Sequence, residues 1–223
     1  MNVSSHARGR AGDPACLSER SISQITRKRY DRLARFYDFL EAPMERLRFA
    51  GWRTKLRGRV MGERALEVGV GTGKNFLHYP RNVKMTAIDI SPHMLVRARK
   101  KASDLGLEVD LREMDVQHLR FPDHAFDTIF ATFVFCSVPD PILGLQELKR
   151  VCKPDGRLLL LEHMRPGNAF LGFLFDMFNP MVVRMMGANI NRRTMDNIRR
   201  AGWRIQVEEH LSSDMVRWIE AEP

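Results

Sequence analysis

From Ser21 to about Arg59, apolar side chains return every three to five positions: Ile22, Ile25, Tyr30, Leu33, Phe36, Tyr37 and Leu40, with Arg and Lys between them. That spacing predicts an amphipathic helix, ended or turned at Pro43 before a second helical run, MERLRFAGWRTKLRGRV. After Gly62 the texture changes to short apolar runs alternating with helical ones. Strands are predicted at 65–70, 85–90, 108–114, 128–134 and 157–162. Ser91 before Pro92, and Asp140 before Pro141, read as N-caps followed by proline at the first helical position. They open HMLVRARKKASDL and ILGLQELKRVC, and the second helix is predicted to stop at the turn KPDG. Strands alternating with helices of about a dozen residues argue for a parallel, doubly wound α/β sheet. WRIQVEEHL and DMVRWIEAEP add two strands close enough to form a hairpin.

The chain has 223 residues, enough for one sizeable α/β domain with a short appendage. The reading divides it into a disordered lead-in at 1–20, basic amphipathic helices at 21–60 and the α/β domain at 61–223. Apolar and charged contents of 44% and 28% are ordinary. The charge distribution is not. Residues 1–60 hold fourteen Lys and Arg against six Asp and Glu, a local excess of eight in a chain whose net charge is +9. A basic first quarter implies an anionic partner. Cys16, Cys136 and Cys152 are far apart and show no metal-ligand spacing, so reduced thiols in a cytoplasmic protein are expected. The first twenty residues lack the apolar core of a signal peptide, and no run of eighteen apolar residues occurs.

The chemistry concentrates in ALEVGVGTGKNF, from Ala65 to Phe76. Gly69, Gly71 and Gly73 follow a β-prone run that carries a carboxylate, Glu67. In a doubly wound sheet, ligands sit outside the carboxyl ends of the strands, where the first strand turns toward the first helix. Bare backbone there lets a ligand approach, and the following helix N-terminus would offer unpaired N–H groups. Asp89, at the end of the next strand, suits both hydroxyls of a ribose. The spacing is G-x-G-x-G, not the dinucleotide G-x-G-x-x-G. Glu67 favours a cationic ligand group over a pyrophosphate.

LEVGVGTG, AIDISPHML and VCKPDGRLLLLEH, in that order, resemble the class I methyltransferases that use S-adenosyl-L-methionine (SAM). The likeness runs from about Arg59 to the last residue. It is strongest to the branch of ubiquinone/menaquinone C-methyltransferases and bacterial phosphatidylethanolamine N-methyltransferases. The resemblance implies a mostly parallel seven-stranded sheet of order 3-2-1-4-5-7-6, with the seventh strand antiparallel. It implies an adenine-side acid at Asp115, followed by Val116 and Gln117, and an apolar adenine contact at Met94. Ile90 and Thr132 join that cofactor set. The resemblance also implies an N-terminal helical lid, in which Tyr30 and Tyr37 share one face; Tyr30 is assigned to the cofactor and Tyr37 to the catalytic side.

On the acceptor side, ATFVFCSVPDP brings Thr132, Phe133, Cys136 and Ser137 near the expected methyl position. Glu162 and His163 end the fifth strand as candidate base or substrate-binding groups. Cys136 reads as a packing residue, because methyl transfer needs no covalent intermediate. Between Phe170 and Met186, twelve of seventeen residues are Phe, Leu, Met or Val, within a segment at 168–191 that fits either a buried cap or a greasy-ligand surface. The basic helices and this segment together predict a peripheral enzyme on an anionic membrane face, methylating a hydrophobic or lipid-like acceptor. Phosphatidylethanolamine is the first expectation, with Arg184, Arg192 and Arg193 toward its phosphate; quinone C-methylation and thiol S-methylation stay open. Nucleic acid fits poorly, because the aromatics follow helical spacing without a stacking pattern. The motif [N/D/S]-P-P-[Y/F] is also absent after the fourth strand.

Overall fold

A computed structural model describes residues 24, 25, 27, 28, 31, 50–186, 189–212 and 215–223. The lead-in, most of the N-terminal helices, Tyr30 and Tyr37 therefore lie outside the described residues.

Seven strands form one sheet: β1 (Arg64–Val68), β2 (Lys84–Asp89), β3 (Val109–Glu113), β4 (Phe126–Thr132), β5 (Cys152–His163), β6 (Arg204–Ser212) and β7 (Val216–Glu222). Their order is β3-β2-β1-β4-β5-β7-β6, parallel from β3 to β5, with β7 antiparallel to both of its neighbours. This is the order implied by the resemblance. The α-helices whose bounds fall among the described residues are α1 (Ala50–Arg53), α2 (Pro92–Asp104), α3 (Pro141–Val151), α4 (Ala169–Met186) and α5 (Thr194–Arg200).

The run Leu158, Leu159, Leu160 and Leu161 is apolar without alternation because β5 is buried there on both faces. Leu158 and Leu160 pack with Leu145 and Leu148 of α3 and Ile198 of α5. Leu159 and Leu161 enter the opposite core with Leu56, Val60 and Trp218. Helix α2 covers β2 through Leu95, Ala98 and Ala102 around Ala87 and Phe76.

Two expectations are corrected. No α-helix follows the glycine turn; a 3₁₀ turn, Phe76–His78, stands there. Pro80 leaves too few residues for a helix and holds Tyr79 extended at ψ 134°. KPDG is likewise not a linker between helix and strand. β5 already pairs with β4 at Cys152↔Phe126, and the register then jumps to Arg157↔Thr128, so the four residues bulge from the strand. Lys153 Nζ meets Asp127 Oδ1 at 2.5 Å and anchors this bulge.

Candidate functional site

The glycine turn leaves β1 with Gly69 at φ +66° and Gly73 at φ +80°. A Cβ on Gly69 would lie 2.4 Å from Val134 Cγ2, and one on Gly73 would lie 2.4 Å from the Phe76 ring. Both positions exclude a side chain sterically and conformationally. At Gly71 the same construction meets nothing within 4 Å, so the backbone borders open space. Gly71 N donates to Asp89 Oδ2 at 2.8 Å, and Ser91 N donates to Oδ1 at 2.9 Å. One carboxylate thus pins the turn and still has lone pairs for other donors. Burial pushes Asp89 up to about 6, against the hydrogen bonds that favour its charge.

A cleft opens at these carboxyl ends. Its walls include Gly69, Gly71, Asp89, Ile90, Met94, Asp115, Val116 and Thr132, eight residues separated in sequence and singled out there. Met94 is buried in its wall. Asp115 is oriented by its own turn, accepting from Gln117 N at 3.0 Å. The lining also includes Phe133, Val134, Ser137, Val138 and Pro139.

Glu67 and Gly73 do not line this cleft. Glu67 sits beneath it, accepting from Asn75 Nδ2 at 2.6 Å and from the Tyr79 hydroxyl. Arg53 Nη1 donates to Asn75 Oδ1 at 2.9 Å and to Thr132 Oγ1 at 2.7 Å. Asn75 Nδ2 also reaches Thr132 Oγ1 at 3.0 Å. Burial raises Glu67 to about 7 despite these hydrogen bonds and the nearby guanidinium. The cation near Glu67 is therefore the chain's own Arg53, and the network supports the cleft through Thr132. The sequence alone gives Arg53, Asn75 and Tyr79 no role. Only Asn75, in the loop eight residues beyond Glu67, carried any signal.

At the end of β4, Phe133 adopts φ +58°, a strained conformation for a bulky non-glycine residue. Three groups hold it. Glu162 Oε1 accepts from Val134 N at 2.9 Å and Phe135 N at 3.1 Å. The His163 ring lies against the Phe133 ring with centroids 5.0 Å apart, and the Arg53 guanidinium lies 5.7 Å from the same ring centroid. Glu162 and His163 thus stand one residue behind the cleft wall. Cys136 is buried, and desolvation raises its thiol to about 12, which suits packing and not nucleophilic attack.

Two described residues of the N-terminal segment, Asp31 and Arg27, reach the ends of β2 and β3. Ser91 Oγ donates to Asp31 Oδ1 at 2.6 Å, and Arg27 pairs with Glu113 at 2.9 Å. Beyond β5, Asn189 N and Nδ2 donate to Cys136 O at 2.8 and 3.2 Å. Arg192 Nη2 donates to Val138 O at 2.5 Å. Arg192 is therefore a strut of the cleft rim, and burial lowers its pKa. Arg184 and Arg193 are exposed.

The Methyltransferase domain family matches residues 66–160. A phosphatidylethanolamine N-methyltransferase of Cereibacter sphaeroides is 43% identical over 113 residues, 50% of this chain and 56% of that protein. The chain thus spans little more than half the length of such a relative. A demethylmenaquinone methyltransferase of Deinococcus radiodurans is 30% identical over 184 residues, 80% of this chain and 76% of that protein. Among solved structures, the [4+2]-cyclase SpnF superposes with a TM-score of 0.64 at 22% identity, covering 78% of this chain and 79% of that one. The last likeness concerns the fold alone.

Proposed function

Because the chain belongs to the class I SAM-dependent methyltransferases, in the branch of quinone C-methyltransferases and bacterial phosphatidylethanolamine N-methyltransferases, we propose that it methylates a hydrophobic, lipid-like acceptor. Phosphatidylethanolamine at an anionic membrane face is the first choice. The observation that carries the reading is the convergence of Gly69, Gly71, Asp89, Met94, Asp115 and Val116 on one cleft whose remaining lining is largely apolar.

In this reading Asp89 receives the ribose hydroxyls, while Ile90, Met94 and Val116 enclose the adenine and Asp115 meets its polar edge. Gly69 and Gly71 make room for the amino-acid end. Bound SAM supplies an electrophilic methyl on a sulfonium. The chain's share is alignment and exclusion of water, for which proximity is the main lever. Phe133 shapes the acceptor side, and Glu162 and His163 act through it as positioning residues. An amine acceptor must also lose a proton, since a free primary amine has a pKa near ~10, and a desolvated apolar wall favours its neutral form.

A panel with labelled SAM tests this reading: ethanolamine lipid, a demethylquinol and small thiols, each with the purified protein. Label in the ethanolamine lipid is the expected result. Transfer to the quinol selects the reading that the Deinococcus relative supports, and transfer to a thiol alone selects S-methylation. No transfer to any amphiphile refutes the lipid-like acceptor.

A further inference from the structure

Helix α4 is turned inside out. Two of its polar side chains, Asp176 and Asn179, bond to neighbouring segments of the protein: Asp176 pairs with Arg165 at 2.9 Å and accepts from Asn191 Nδ2 at 3.0 Å. Asn179 Oδ1 accepts from Ile190 N at 2.9 Å, and Asn179 Nδ2 donates to Asn189 Oδ1 at 3.2 Å. Gly172 belongs to the same inner side, where a Cβ would strike the Arg165 guanidinium at 2.4 Å. Phe170, Phe173, Met177 and Met181 recur at spacings of three and four, so they share the other face. They are exposed by 70%, 62%, 52% and 55%. An ordinary surface helix has the reverse arrangement, and a row of large exposed apolar side chains marks an interaction surface.

We propose that this stripe seats the protein on an anionic lipid bilayer, with the two Phe and two Met side chains at the acyl boundary and Arg184 among the headgroup phosphates. The choice of occupant rests on charge. Between Met164 and Arg200 both aspartates are paired, with Arg165 and Arg199, while Arg184, Arg193 and Arg200 are exposed and leave this region net positive. The whole chain carries +9. Such a surface repels a second copy of itself and attracts anionic headgroups. Flexible Met and rigid Phe suit a fluid, irregular acyl surface. The stripe is tied to the cleft: Asn179 holds Asn189, and Asn189 holds Cys136 O, beside Ser137 and Val138 of the cleft wall. Docking therefore brings the acceptor side of the cleft to the bilayer, which deepens the lipid-like-acceptor reading and rests on it.

The test uses the full chain and vesicles of phosphatidylcholine with a minority of phosphatidylglycerol, free of ethanolamine lipid and quinone. Its outcome is thus independent of which acceptor is methylated. Sedimentation is expected with the unmodified protein and to weaken about tenfold or more in Phe173→Asp/Met177→Asp. Adenosylhomocysteine affinity should not change. Phe173→Ser and Arg184→Gln, milder changes at exposed positions, should weaken binding in the same direction. In Phe173→Trp, vesicles with bromine-labelled acyl chains should quench the new indole. Equal sedimentation of the double variant and the unmodified protein would overturn the proposal. So would a dimer in solution that ignores vesicles and dissociates on the double substitution, since a second copy would then cover the stripe.

Discussion

Glu162 Oε1 holds two amides, while Oε2, equally inaccessible to water, has no hydrogen-bond partner among the described residues. Desolvation raises its pKa to about 7, against the pull of those two N–H groups. The unfolded carboxyl has the ordinary value of 4.5, so across the interval the folded state keeps a proton that the unfolded state has released. The resulting stabilisation is complete below about 4.5 and is lost as pH rises through about 7. Glu67, also raised to about 7, and Asp89, raised to about 6, act with the same sign. Glu162→Gln keeps an acceptor for the two amides and removes the titration. Urea unfolding at pH 5 and pH 8 should show a smaller loss of stability in this variant than in the unmodified chain. A displacement of two to three pKa units sets the difference at up to roughly 3 kcal/mol. An equal pH dependence in both proteins would deny Glu162 this role. From sequence, Glu162 was legible as a chemically special residue at the end of a strand. Its task of holding Val134 and Phe135 was not, because that depends on β4 and β5 lying side by side.

At the level of elements, local signals served wherever the chain decides locally. Ser91 and Asp140 both cap helices that open on proline. Met94 N donates to Ser91 Oγ at 3.2 Å, and Ile142 N and Leu143 N donate to Asp140 Oδ1 at 2.9 and 3.0 Å. Asp140→Ala should cost about 1 kcal/mol, measurable as a lower urea midpoint at unchanged slope, with Asp140→Asn recovering most of it. A loss no greater than that of an exposed surface substitution would show the cap to be dispensable. The expectations that failed did so for different reasons, some local and some not. KPDG reads as a turn, yet the β4–β5 pairing claims Cys152 before it. The three glycines read as the lead into a helix, yet Pro80 permits only a 3₁₀ turn. For α4, composition marked an unusual helix, but which face looks outward depends on Arg165, Asn189 and Asn191, which only the folded chain brings near. The strand order was legible through a family likeness; periodicity alone indicated a parallel sheet and left the order open.

On the proposed docking to a bilayer, the basic first quarter and the apolar stripe of α4 would combine weak, screened attraction with short-range burial. Charges on an exposed surface act over about 8 Å at physiological ionic strength, and each basic group near an anionic membrane contributes roughly 1 kcal/mol. Apolar insertion is far less sensitive to salt. The two contributions therefore separate in kinetics. With the acceptor diluted in neutral micelles, the apparent KM for acceptor should be high; a minority of anionic lipid should lower it several-fold while the KM for SAM stays constant. Added salt should reverse that gain and leave the remaining activity with neutral micelles nearly untouched. A short-chain acceptor dissolved in water should respond to neither change, because it reaches the cleft without a surface. Kinetics with micellar acceptor that ignore both anionic lipid and salt would separate the basic quarter from substrate capture. Its excess of eight positive charges would then require another anionic partner.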